Sequence, residues 1–253
     1  MSLSRILQPP AKSFLLLGPR GTGKSTWLAQ AFPGALTIDL LDSSRFLSLS
    51  RDPGGLAHLV APLRRGAWVV IDEIQRIPAL LDEVHRLYEQ HRGIHFALSG
   101  SSARKLRRAG ANLLAGRALQ IRMQPFLWPE YRHTWSIAQA CEWGTMPLVV
   151  SDPDHRAATL ATYVDEVEAL VRSLDPFVRV LQVAGLYIGQ TLNLENLSRE
   201  SAVKRSTVER YFQILEDTLL ACRVPSFSAL VWLTIPMGLV GGGLPAYRAS
   251  RIP

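Results

Sequence analysis

Apolar positions along the chain fall into two kinds of stretch. Short, mainly apolar runs at Phe14 to Leu17, Ala35 to Leu40, Ala67 to Ile71 and Ile94 to Leu98, the first and third uninterrupted, alternate with segments whose apolar residues recur at helical spacing. An uninterrupted run suits a strand covered on both faces, and strands alternating with helices give an α/β domain with a parallel sheet. Helices are expected from Lys24 to Phe32, stopped by Pro33-Gly34, and from Ser44 to Leu63 with a break at Asp52-Pro53-Gly54-Gly55. Another spans Pro78 to Gln90, with Leu80, Leu81, Val84, Leu87 and Tyr88 on one face. A further strand ends near Arg122, and Gln124 to Glu130, with two prolines, closes the first domain.

Beyond that point the strand pattern ceases. Trp135 to Ser151 is weakly periodic, and Ala157 to Leu174 reads as a linking helix ending near Asp175-Pro176. Phe177 to Ala184 is helical by pattern. A short helix from Asn193, a tight turn at Ser201 to Lys204 and a longer helix then make a helix-turn-helix. In the longer helix Ser206 and Glu209 match a capping box, and Val208, Tyr211, Leu215 and Leu219 form the apolar stripe. The expected division is 1–133 for the α/β domain, 134–176 for a helical linker, 177–223 for a smaller helical unit and 224–253 for a tail.

The tail changes character: Val224 to Tyr247 carries no charge. Its prolines and glycines argue against a stable membrane-spanning helix. The 253 residues are 47% hydrophobic and 19% charged, a globular composition with a sizeable core. A formal net charge of +7 favours polyanionic partners. Cys141 and Cys222 lie far apart without metal-ligand spacing, and Met1 to Pro10 lacks the apolar core of a signal peptide, so a cytoplasmic setting is expected.

Chemistry enters where the first strand runs into Gly18-Pro19-Arg20-Gly21-Thr22-Gly23-Lys24-Ser25-Thr26, which fits G-x-x-x-x-G-K-[ST] between strand and helix. Glycines let backbone N–H groups turn around a polyphosphate, Lys24 can reach its terminal oxygens, and Ser25 can ligate Mg²⁺. The run Val69 to Ile71 delivers Asp72 and Glu73 to the carboxyl edge of the sheet, where open α/β sheets bind ligands. In P-loop enzymes one acid there belongs to the Mg²⁺ shell, and a second can deprotonate water. As neighbours on an extended chain, the two side chains should diverge into two roles.

Other positions leave alternatives open. Asp39 and Asp42 sit at a strand end, and Asp42 before Ser43-Ser44 suits a helix cap as well as a ligand contact. Ser99 or Ser101 can meet a γ-phosphate or hold water, while Ser101 or Ser102 can cap a helix. The basic run Ala103 to Arg108 reads as a solvated face or a nucleic-acid contact. Arg117, at a turn after Gly116, can point at a phosphate in its own or a neighbouring subunit, or be an ordinary surface residue. Lys204, Arg205, Thr207 and Arg210 stand where a recognition helix would meet DNA; the same motif also serves as a packing module.

Taken in order, Gly18 to Ser25, Val69 to Gln75, Leu98 to Leu106 and Leu114 to Arg117 resemble the AAA+-type P-loop ATPases of bacteria and archaea that join an AAA domain to an uncharacterised C-terminal domain. Thr207 to Leu219 is similar to that family's winged-helix-like segment. The resemblance implies a P-loop NTPase sheet, an ATPase activity, and ATP and Mg²⁺ as ligands, with a homo-oligomer as a further expectation. It implies Lys24 on phosphates, Ser25 and Asp72 on Mg²⁺, Glu73 as base, Ser101 or Ser99 at the sensor position, and Arg117 at the Gly-Arg turn. The absence of an N-K-x-D motif favours ATP over GTP. The resemblance stops near Arg223, where longer members continue with a nuclease-like region, and the uncharged tail reads as a truncation or change of frame. A nucleotide-dependent DNA-binding switch with little hydrolysis is the alternative function.

Overall fold

A computed structural model describes residues 4–90, 93–101, 106, 118–168, 171, 173–187 and 191–217. Every described residue belongs to one compact unit, within Met1–Cys222. The tail, Leu219 of the apolar stripe, and Gly116, Arg117 and Ser102 lie outside the described residues. So does the basic run, except Leu106.

Five strands, β1 (Phe14–Leu17), β2 (Leu36–Asp39), β3 (Trp68–Asp72), β4 (His95–Gly100) and β5 (Leu119–Arg122), form one parallel sheet in the order β2-β3-β4-β1-β5. The three inner strands are the apolar runs, because both their faces are covered; edge strand β5 is largely exposed. Alternation divides their side chains. Leu15, Leu17, Val69, Ile71, Phe96 and Leu98 join the core built with α2 (Ser43–Arg51), α3 (Gly55–Val60) and α4 (Leu80–Gln90). Phe14, Leu16, Val70 and Ala97 join Trp27 and Leu28 of α1 (Lys24–Ala31) on the other face.

Asp42 caps α2, accepting the N–H groups of Ser44 at 2.7 Å and Arg45 at 3.1 Å, so the capping reading holds. The break at Asp52 to Gly55 separates α2 from α3 as expected.

After the sheet come α5 (Trp128–Tyr131), α6 (Ile137–Trp143), α7 (Pro147–Ser151), α8 (Arg156–Glu168), α9 (Leu174–Leu186), α10 (Leu194–Ser201) and α11 (Arg205–Asp217). Three expectations are corrected here. Pro129 sits inside the one-turn helix α5 instead of stopping structure. Asp175-Pro176 opens α9 instead of closing its predecessor, because first-turn N–H groups have no intrahelical partner and proline is tolerated there. Ser206 is the second residue of α11, and the carbonyl of Lys204 accepts the N–H groups of Thr207 and Val208, so Ser206 is no N-cap. Helices α9, α10 and α11 share a core of Phe177, Val180, Leu197, Val203, Val208, Tyr211 and Ile214.

Leu98, fully buried on the central strand, contrasts with Leu119, 49% exposed on β5. Leu98→Ala should cost about 2–5 kcal/mol of unfolding free energy, whereas Leu119→Ala should stay within about 0.5 kcal/mol, read from urea midpoints.

Candidate functional site

The Gly18–Ser25 loop leaves the carboxyl end of β1. Gly18 N–H donates to the Gly100 carbonyl at 3.2 Å, and a Cβ on Gly18 would lie 2.4 Å from the carbonyl oxygen of Met123, so no larger residue fits. Gly23 precedes α1 with φ 80°, a left-handed conformation suited to glycine. Helix α1 has no side-chain cap and no acid in its first turn, so its amino end presents uncompensated N–H groups. Lys24 is 5% exposed, and its Nζ donates to the carbonyls of Gly18 and Pro19, each at 2.9 Å. Burial lowers its pKa, Glu73 and Asp72 oppose that effect, and Arg20 reinforces it. Thr22 is fully buried, with its hydroxyl donating to the Pro19 carbonyl at 2.8 Å; Ser25 and Thr26 are exposed.

Because β4 lies between β1 and β3, its end meets both the loop and the acids. Asp72 is 6% exposed. Its Oδ1 accepts the Ser99 hydroxyl and, at 3.1 Å, the Glu73 N–H, which also lies 3.2 Å from Ser99 Oγ. Glu73 is not extended: at φ 60° and ψ 42° it is left-handed, and this turn, not strand alternation, separates the two carboxylates. Such a conformation in a non-glycine residue stores strain of about 1–3 kcal/mol.

Sequence reasoning assigned no role to Gln75. Its Nε2 donates to the Glu73 carboxylate and, at 3.0 Å, to Ser101 Oγ, while its Oε1 accepts the Ser101 N–H at 3.3 Å. Ser101 Oγ lies 3.4 Å from Glu73 Oε2. Gln75 thus ties the residue after β3 to the residue after β4. A Cβ on Gly100 would come within 2.8 Å of its Oε1. Lys24, Asp72, Glu73, Ser99 and Ser101 therefore gather at one sheet edge.

A cleft of about 470 Å³ opens beside the loop, lined by Thr22, Gly23 and Thr26 and, across from the sheet residues in sequence, by Trp135 and Arg156. The Arg156 guanidinium stacks 4.5 Å over the Trp135 ring. Arg5 also lines it: its guanidinium donates to the Thr22 carbonyl at 2.6 Å and to Glu130 at 2.9 Å, and stacks 4.3 Å over Phe126. Burial lowers the Arg5 pKa, and Glu130 opposes that shift. None of these three carried a sequence signal, since they sit outside any motif or strong periodicity.

At the helix-turn-helix, Arg205 is paired with Glu195 at 2.6 Å. Lys204, Thr207 and Arg210 line a concavity of about 370 Å³ together with Arg179 of α9, whose Nε donates to the Ser201 carbonyl at 3.2 Å. Among the described residues no carboxylate lines it.

Residues 10–132 match the family model of an AAA domain, and residues 134–231 match that of a Domain of unknown function (DUF8612). The first match supports a P-loop AAA-type ATPase domain, in line with the parallel sheet and loop. No curated protein matches the chain. Among solved structures, the Aeropyrum pernix ORC2 protein in its ADPNP and ADP complexes is similar at 12% identity and TM-score 0.49, covering 85% of this chain and 82% of that one. The Aeropyrum pernix ORC1 protein in complex with DNA gives 14% and 0.39, covering 82% and 78%. A signal transduction ATPase with numerous domains and a tetratricopeptide repeat sensor, from Pyrococcus horikoshii, gives 14% and 0.35, covering 81% and 37%. These likenesses are too distant to carry an argument about this chain. No described helix is long and apolar enough to cross a membrane.

Ser99 is fully buried. Ser99→Ala strips Asp72 of its hydroxyl donor and should cost about 1–3 kcal/mol in chemical denaturation at neutral pH.

Proposed function

We propose that the chain binds Mg-ATP and hydrolyses it, with the helical region after residue 133 responding to the nucleotide. One observation carries the reading. The uncapped amino end of α1 and the buried amine of Lys24 share a sheet edge with Asp72 and Glu73, joined through β4. The N–H groups of the loop hold the phosphates, and Lys24 exchanges its two loop carbonyls for their oxygens.

The donor set fits Mg²⁺, a hard cation that takes one or two protein oxygens and leaves the rest of its shell to phosphate and water. Ser25 Oγ and Asp72 would hold it; the hydrogen bonds to Asp72 fall on Oδ1, and we assign Oδ2 to the metal. The bound ion would neutralise charge on the phosphates. Water attacks the γ-phosphorus, the bond to the bridging oxygen breaks, and ADP leaves with that electron pair. Glu73 takes the proton from the water, held for this by Gln75 and Ser101. Arg117 keeps the stabilising role that the resemblance implies, in its own subunit or a neighbour in a homo-oligomer. The setting is cytoplasmic, and the divisions at 1–133, 134–176, 177–223 and 224–253, with a winged-helix-like third part, belong to the same reading.

A second reading, a nucleotide-dependent DNA-binding switch, is favoured by the concavity at Arg179, Lys204, Thr207 and Arg210, where cations gather without a carboxylate among the described residues. Arg205 is paired with Glu195, which weakens its claim to a phosphate.

ATP turnover tests the first reading. Glu73→Gln should lower kcat by about 10²–10⁴-fold while nucleotide binding persists, and Lys24→Ala should lose binding. Chelation of Mg²⁺ should stop turnover, and no turnover by the wild type under any condition sinks the proposal. For the second reading, duplex DNA should be retained at low salt, and Lys204→Ala and Arg210→Ala should each reduce the salt slope by about one. Absence of retention removes it.

A further inference from the structure

The two edges of the sheet differ in charge. The ends of β2 and β3 bring Asp39, Asp72 and Glu73 to the carboxyl edge. At the amino edge, the segments leading into the five strands, residues 10–13, 33–35, 61–67, 93–94 and 118, carry Lys12, Arg64 and Arg65 and no carboxylate. All three cations are exposed, and among the described residues none of them enters an ion pair. Glu89, in the last turn of α4, is itself engaged.

Backbone bonds hold these segments side by side. Gly66 N–H donates to the Gly93 carbonyl at 2.5 Å, and His95 N–H to the Ala67 carbonyl at 2.9 Å. The Arg65 side chain lies across Gly93, where a Cβ would come within 2.5 Å of its Cγ and 3.0 Å of its Nε. On the next strand the Ser13 hydroxyl accepts the Phe96 N–H at 2.9 Å. The pairing of Phe14 with Ala97, carried back two residues along both chains, sets Lys12 beside His95, and Trp68 pairs with His95 from the other side. Lys12, His95 and Trp68 thus form one row across β1, β4 and β3.

That row is largely aromatic. Trp68 stacks on His95 at 4.9 Å and 31° between planes, and on Phe32 at 4.4 Å and 37°. All three rings are partly exposed. Cations without carboxylates select a polyanion, and open rings beside them select one that carries rings of its own. Unpaired bases meet both demands, whereas a duplex keeps its base faces stacked inside and a lipid headgroup has none.

We propose that the amino edge of the sheet binds single-stranded nucleic acid, with bases stacking at His95 and Trp68 and phosphates held by Lys12, Arg64 and Arg65. The surface lies at the opposite edge of the sheet from the phosphate loop and uses none of Lys204, Thr207 and Arg210, so it stands or falls apart from both readings above. It also gives a task to part of the net charge of +7, which nucleotide binding leaves unexplained.

Fluorescence anisotropy of a labelled oligo(dT) of about 20 nucleotides with the full chain, no nucleotide added, tests this. The wild type should bind at low salt, and Lys12→Ala and Arg65→Ala should each reduce the slope of log K against log salt by about 0.7. His95→Ala should weaken binding about fivefold or more. The double variant Lys204→Ala, Arg210→Ala, which removes cations of the helix-turn-helix, should still bind oligo(dT) and should prefer it to a duplex of the same length. Absence of oligo(dT) binding at low salt overturns the proposal, as does equal affinity for duplex in the double variant. Lys12 and Arg65 are exposed, so their variants fold even where His95→Ala does not, and unchanged salt slopes in both overturn it too. Capture by phosphatidylserine vesicles with no binding of oligo(dT) overturns it in favour of a lipid surface.

Discussion

The position of β4 between β1 and β3 governs the molecule. A parallel sheet brings its strand ends to one edge, and the central strand must be covered on both faces, which the two side-chain sets of β1, β3 and β4 accomplish. At its end the same strand turns polar, and Ser99, fully buried, has to find partners there. It finds them in Asp72 and the Glu73 N–H, while the Gly100 carbonyl takes the Gly18 N–H. The loop and the acids, far apart in sequence, are thus bonded to adjacent residues of one strand.

Lys24 shows how electrostatics follows from that packing. An amine at 5% exposure loses hydration, yet it has two carbonyls within 2.9 Å and the fields of Glu73 and Asp72. Glu73 is held in a costly backbone conformation by its N–H bonds on one side and by Gln75 on the other. Strain kept by such a network fixes a carboxylate in place before any ligand arrives.

Much of this was legible in the residues. Continuous apolar runs revealed the inner strands, and the loop, Asp72 and Glu73 stood out because their chemistry demands particular residues at particular spacing. Asp42 announced itself as a cap through Ser43-Ser44. What stayed hidden depended on geometry without local pattern. The left-handed turn at Glu73 has no glycine to mark it, and Gln75 matters only because β3 and β4 are neighbours. Pro176 misled because proline permits a helix start as readily as it forbids a continuation. Ser206 with Glu209 had the letters of a cap, but the chain turned two residues earlier, at Lys204.

Arg5 binds three parts of the chain with one side chain: the N-terminal segment that carries it, the Thr22 carbonyl of the loop, and Glu130 with Phe126 beyond the sheet. A rigid planar fork in that position acts as a linchpin. Thr22 and Glu130 share that one guanidinium, so the position of each is set partly by the other. The loop is therefore tied to the chain beyond the sheet through one side chain.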